Sequence, residues 1–128
     1  MRYIMLMIPA VYSDPDADAM PTAEAVDQMM RYNAELAEAG ILDTLNGLHP
    51  PQLGARLVFT EDGPELVEVP AAGAIGGYWI ITPDTHEAAV EWARRCPAGP
   101  GDTIELRQVQ EFDEFPEDVQ AVLDNYDI

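Results

Sequence analysis

An α+β domain with the element order β-α-β(β)-β-α-β is the fold class this sequence predicts, with two helices on one face of an antiparallel sheet. Three observations predict it. Two runs of strand length, within residues 2–8 and 75–82, are apolar on both sides. Each is followed, after a break, by a segment whose apolar residues recur at helical spacing. Between the two halves, "RLVFT" and "ELVEV" flank Asp62-Gly63, a hairpin signal.

The first run, "RYIMLMI", sends Tyr3, Met5 and Met7 one way and Ile4, Leu6 and Ile8 the other. Neither set is polar, so this is a central strand covered on both sides. A secretory leader is the competing reading of this end, with one Arg, an apolar run, and Ala17 and Ala19 in an A-x-A pattern. Pro9 interrupts the run and the single charge is weak, which favours a strand followed by the acidic loop "SDPDADAMP". A helix follows from Thr22 or Ala23 to Ala39, with Thr22 as N-cap and Gly40 past its end. Its inner stripe reads Val26, Met29, Met30, Asn33, Leu36 and Ala37. Asn33 is the polar member, expected at the stripe's edge or bonded to nearby backbone. "ILDTLNGLHPPQLGA" reads as a connector stiffened by Pro50 and Pro51.

The second run pairs Tyr78 and Ile80 on one side with Trp79 and Ile81 on the other, and Pro83 ends it. Asp84 to Glu87 fits a capping box, and the helix then runs to about Arg95, burying Ala88, Ala89, Trp92 and Cys96. The last strand, "TIELRQV", has unlike faces: Ile104 and Leu106 against Glu105 and Arg107. Residues 110–128 form an acidic extension with a short amphipathic helix after Pro116. The 128 residues make a single domain on the ferredoxin-like plan. Helices on one face leave the other bare, yet two strands are apolar on both. A second copy packed sheet on sheet is the simplest cover, making a dimeric barrel with a cleft inside.

The net charge is −18, from 24 acidic residues and 6 arginines, with no lysine. So acidic a chain gains no counterion release on nucleic acid and is repelled by anionic membranes, so neither is an expected partner. The single cysteine excludes an internal disulfide and suits a reducing, cytoplasmic setting.

The segments "MRYIMLMI", "MMRYNAELAEAGIL", "GLHPP", "GGYWIITPDTHEAAVEWARRCP" and "GDTIELRQVQEFDEFP" resemble the YCII-related proteins, in particular the branch named for a DGPF signature. The resemblance spans nearly the whole chain in the right order. It implies a ferredoxin-like dimer forming an α/β barrel. Most such proteins have no assigned activity, one relative is a dehydrochlorinase of a chlorinated hydroxyquinol, and genes of the DGPF branch often neighbour those of sigma factors. The signature itself is degenerate here. Its place before the "GG" strand is taken by "VPAAGAIGG", and Asp62-Gly63-Pro64 falls where the family has its hairpin turn. The His-Asp pair of the enzymatic relatives has no matching partner after the first strand, so no catalytic residue carries over.

The residues themselves offer a short list of candidates. His49, on the stiff "GLHPP" connector, suits acid-base work at a cleft mouth, against the plainer reading of an ordinary loop histidine. Glu105 is the second catalytic candidate. Tyr3, Tyr78 and Arg107 are the ligand-binding candidates, with Arg107 as a bidentate donor to an anion and Glu105 and Tyr78 as the polar rim. The plainer alternative is a Glu105–Arg107 salt bridge at the dimer seam. His49, His86 and Cys96 lack metal spacing, the acidic loops lack the EF-hand pattern, and no phosphate loop occurs, so no metal or cofactor is expected. Cys96 at a helix C-terminus is a poor nucleophile, and Trp79 and Trp92 read as core. Three functions remain open: a dimeric barrel binding a small organic molecule, with lyase or isomerase chemistry as one use of it; a non-catalytic accessory of a sigma-factor or stress-response system; and a purely structural dimer.

Overall fold

The computed structural model describes residues 1–16 and 20–128; the Ala17 to Ala19 pattern lies outside them. Strand β1 spans Tyr3–Ile8, helix α1 Ala23–Glu38, β2 Leu42–Gly47, β3 Arg56–Thr60, β4 Gly63–Val67, β5 Gly77–Ile81, α2 His86–Arg94, β6 Thr103–Gln108 and α3 Glu117–Leu123. The main sheet has the order β2-β5-β1-β6 with all neighbours antiparallel, which is the ferredoxin-like arrangement. Among the described residues, no helix is long and apolar enough to cross a membrane.

One face of the sheet makes the core. Tyr3, Met5, Trp79, Ile81 and, more shallowly, Leu106 meet Tyr32 and Leu36 of α1 and Ala89 of α2. Met5, Leu36 and Ile81 are completely buried. Each such side chain contributes about 1.5–3 kcal/mol through water exclusion. The alternation seen in "RYIMLMI" and "GYWII" thus becomes two layers: Tyr3, Met5, Trp79 and Ile81 are buried on the helix side with Met7 half-buried beside them, while Ile4, Leu6, Ile8, Tyr78 and Ile80 stay half-exposed on the other face.

The second strand of the sheet is not where the sequence pattern puts it. Residues 42–47, read above as connector, form the edge strand beside β5. A register shift between Leu42 and Thr44 hides the strand from a period-two reading. Leu42 pairs with Ile81 and Leu45 with Trp79, so both face the helices although they are three residues apart. The "RLVFT…ELVEV" hairpin does form, but as a separate two-stranded ribbon, β3–β4.

Its turn is as expected: Thr60 pairs with Gly63 across Glu61-Asp62, and Gly63 has φ +106°. A Cβ on Gly63 would meet nothing within 4 Å, so only backbone strain opposes a larger residue. Gly63→Ala is expected to cost roughly 1 kcal/mol of local stability. Amide-exchange protection in β3 and β4 would fall about fivefold, and unchanged protection would contradict the positive φ.

Helix α1 is capped as expected, Thr22 accepting from the Ala25 amide, and Gly40 takes φ +75° past its end. Its buried stripe is rotated from the sequence reading. Tyr32, Asn33 and Leu36 are buried, whereas Val26, Met30 and Ala37 are exposed. The rotation follows from two polar handles. Tyr32 donates its hydroxyl to the Trp92 carbonyl at 2.6 Å, and Asn33 Oδ1 accepts from the Trp79 indole at 2.8 Å. Both bonds form only if these two residues point inward. In α2 the N-cap is Thr85, which accepts from the Ala88 amide, rather than Asp84. Thr85 is the residue with extended backbone directly before the helix, so its hydroxyl reaches the orphan amide.

Candidate functional site

Strand register decides which side chains share the open face. Across the sheet one row reads Asn46, Tyr78, Leu6, Glu105, and the next reads Thr44, Ile80, Ile4, Arg107. The middle of each row is apolar or aromatic and its β6 end is charged. Adjacent strands lie about 4.8 Å apart, so Tyr78 and Glu105 flank Leu6 with roughly 10 Å between their backbones. Asn46 Nδ2 donates to the Tyr78 hydroxyl at 2.9 Å. That bond uses a lone pair of the phenol and leaves its own O–H to point elsewhere. Arg107 Nη1 lies 3.5 Å from Glu105 Oε2, with the arginine side chain 70% exposed. Such an exposed pair contributes about 0–1 kcal/mol, so it can open for a ligand at little cost.

The structure brings Tyr78, Glu105 and Arg107 together and separates them from the other two candidates. Tyr3 stands next to Arg107's partner Ile4 in the chain, but it points to the helix side and is buried. Its hydroxyl sits 3.4 Å from His86 Nδ1 at the start of α2, with the rings tilted at 54° and 5.8 Å apart. A Tyr3 that shares a cleft with Tyr78 and Arg107 is therefore not what the fold provides: the alternation of β1 sends it to the opposite face. His49 is exposed on the segment after β2, outside the sheet rows. Asn46 and Thr44 were hidden from a sequence reading because their strand was. The alternation Thr44-x-Asn46 is a short polar signal that means something only beside Tyr78 and Ile80.

Two further groups have structural roles. Burial, and then the nearby Asp102 charge, push the Cys96 thiol up to about 11, so it remains neutral and packs as a core residue. Arg2 grips Glu111 through Nε–Oε1 at 2.7 Å and Nη2–Oε2 at 3.0 Å. The hydrogen bond to Arg2 lowers the Glu111 carboxyl below its usual range and ties the chain after β6 to the start of β1. A hollow of about 490 Å³ lies in the acidic tail, lined by Phe112, Leu123 and Tyr126 with Asp113 and Asp124; none of the candidate residues borders it. Among the described residues, no three His, Cys, Asp or Glu side chains gather as a metal ion requires.

No curated protein matches the chain. The family model of the YCII-related domain matches residues 1–113, from the first strand through β6 and into the tail. That span holds α1, α2, every strand and all five candidate residues, and ends before α3. The chain therefore belongs to the YCII-related domain family.

Proposed function

We propose that this protein binds a small anionic organic molecule as a homodimer, with the open sheet faces of two copies enclosing the site. The observation that carries this reading is the pattern of the open face: an apolar floor of Ile4, Leu6 and Ile80, with Arg107 and Glu105 at one side and the Asn46–Tyr78 pair at the other. A sheet that is half apolar gains by being covered, while the charged and phenolic groups favour a cover that leaves a wet, lined cleft over a dry seam. Arg107 supplies a planar, two-pronged donor for a carboxylate, phenolate or similar group. The Tyr78 O–H, its oxygen already engaged by Asn46, donates to the far side of the ligand. Glu105 is the carboxylate of the face and, with Tyr78, provides a base and an acid for a lyase or isomerase step that needs no cofactor.

The test is a thermal-shift screen with small aromatic and aliphatic carboxylates on wild type and Arg107→Leu. A ligand at a hundred times its Kd stabilises by about 2.7 kcal/mol, a rise of several degrees in Tm. Arg107→Leu is expected to abolish that rise while sedimentation still reports a dimer. A dimer weakened by Arg107→Leu would assign the residue to the seam instead. No stabilisation of wild type by any anion in the screen would remove the reading.

A further inference from the structure

The β3–β4 ribbon leaves large apolar side chains uncovered. Every residue of β3 is exposed. Register places Leu57 opposite Leu66 and Phe59 opposite Pro64, so these four share one face of the ribbon. Leu57 is 57% exposed, Phe59 78% and Leu66 70%. The other face pairs Val58 with Glu65 and Arg56 with Val67. A two-stranded ribbon standing alone is marginally stable in water, and an apolar patch of this kind marks an interaction surface. The ribbon is inserted between β2 and β5, whose paired ends Gly47 and Gly77 close the same end of the main sheet.

We propose that this ribbon is a dimerisation arm: its Leu57, Phe59, Pro64 and Leu66 face packs on a second copy of this chain. The inference rests on the homodimer proposed above and adds a second contact to it. Charge permits a copy of the chain as the occupant. The protein carries −18, so two copies repel wherever their carboxylates meet. The arm's apolar face bears no charge; Glu61 and Asp62 sit at its tip and Glu65 on the other side. It is thus a surface on which an equally acidic partner meets no like charge. Area points the same way. Phe59 alone can bury about 150–250 Å², and with Leu57, Leu66 and Pro64 beside it one arm offers on the order of 400 Å². Two arms and the surfaces they cover come to about 1,600 Å², the size of a standard specific interface.

The experiment is sedimentation velocity over a concentration series on the full chain, comparing wild type, Leu57→Ser/Phe59→Ser and Leu6→Glu, with circular dichroism as the check of folding. The arm variant is expected to raise the dimer Kd at least tenfold with an unchanged spectrum. A Kd within twofold of wild type, or a wild type monomeric at every concentration, overturns the arm. If the double variant does not fold, Leu66→Thr keeps a β-branched residue in the strand and is expected to weaken the dimer by about threefold or more. Its having no effect overturns the proposal equally. The two contacts separate cleanly. A dimer kept in the arm variant and lost in Leu6→Glu overturns the arm and spares the sheet-on-sheet reading. A dimer lost in the arm variant and kept in Leu6→Glu supports the arm and overturns the sheet-on-sheet reading.

Discussion

Trp79→Ala is expected to lower the unfolding free energy by about 3–5 kcal/mol, the range for removing a large buried aromatic side chain. Trp79 is buried in the middle of β5 and touches Tyr32 edge-on, the rings 6.0 Å apart and 88° to one another. Its indole N–H also satisfies Asn33, the buried polar residue of the core among the described residues. The substitution therefore does three things at once. It opens a cavity between sheet and α1, it removes an edge-to-face pair, and it leaves the Asn33 carbonyl oxygen without its donor. Asn33→Leu makes the converse error, stranding the indole N–H, and is expected to cost about 1–3 kcal/mol. Because the two residues share one hydrogen bond, the double variant should cost less than the sum, with a coupling of about 0.5–3 kcal/mol. Urea unfolding of the four proteins measures all of this. A Trp79→Ala loss below about 1 kcal/mol, or strict additivity with Asn33→Leu, would contradict the packing described.

Leu6→Glu is expected to split the proposed homodimer, raising its Kd by more than a hundredfold, about 2.7 kcal/mol. Leu6 sits at the centre of the open face, between Tyr78 and Glu105. In a single copy the side chain is half-exposed, so a carboxylate there can stay hydrated. The direct cross-strand neighbour is Glu105, and like charges placed so cost on the order of 1 kcal/mol or less in a solvated sheet. In a sheet-on-sheet dimer the same carboxylate and its symmetry mate enter the seam beside both Glu105 side chains, without a new cation to meet them. Met5→Glu is the control, since Met5 is wholly buried on the helix side and the change should unfold the protein itself. Sedimentation velocity should show Leu6→Glu as a folded monomer near 14.1 kDa. A Leu6→Glu protein that still dimerises would mean that the open face is covered by something other than its own copy.

Much of this protein was determined by sequence alone, wherever the evidence is local. Both central strands follow from apolar runs, both main helices from periodicity, α1 also from its Thr22 cap and closing Gly40, and the hairpin turn from Asp62-Gly63. These signals depend on steric and hydrogen-bonding preferences within a few residues, so they survive without knowledge of the partner elements. Tertiary structure decided the rest. The bulge in β2 broke the alternation by which an edge strand is recognised, and only pairing with β5 makes residues 42–47 a strand. The rotation of α1 was set by Tyr32 reaching the Trp92 carbonyl and Asn33 reaching Trp79, partners 60 and 46 residues away. The candidate site divides for the same reason. Alternation shows that Tyr3 and Ile4 point to opposite sides of β1, but which of them shares a side with Arg107 depends on the register with β6. That register pairs Ile4 with Arg107 and leaves Tyr3 opposite Gln108, on the buried side, because Ile104 and Leu106 gain more by joining the core than Glu105 and Arg107 would.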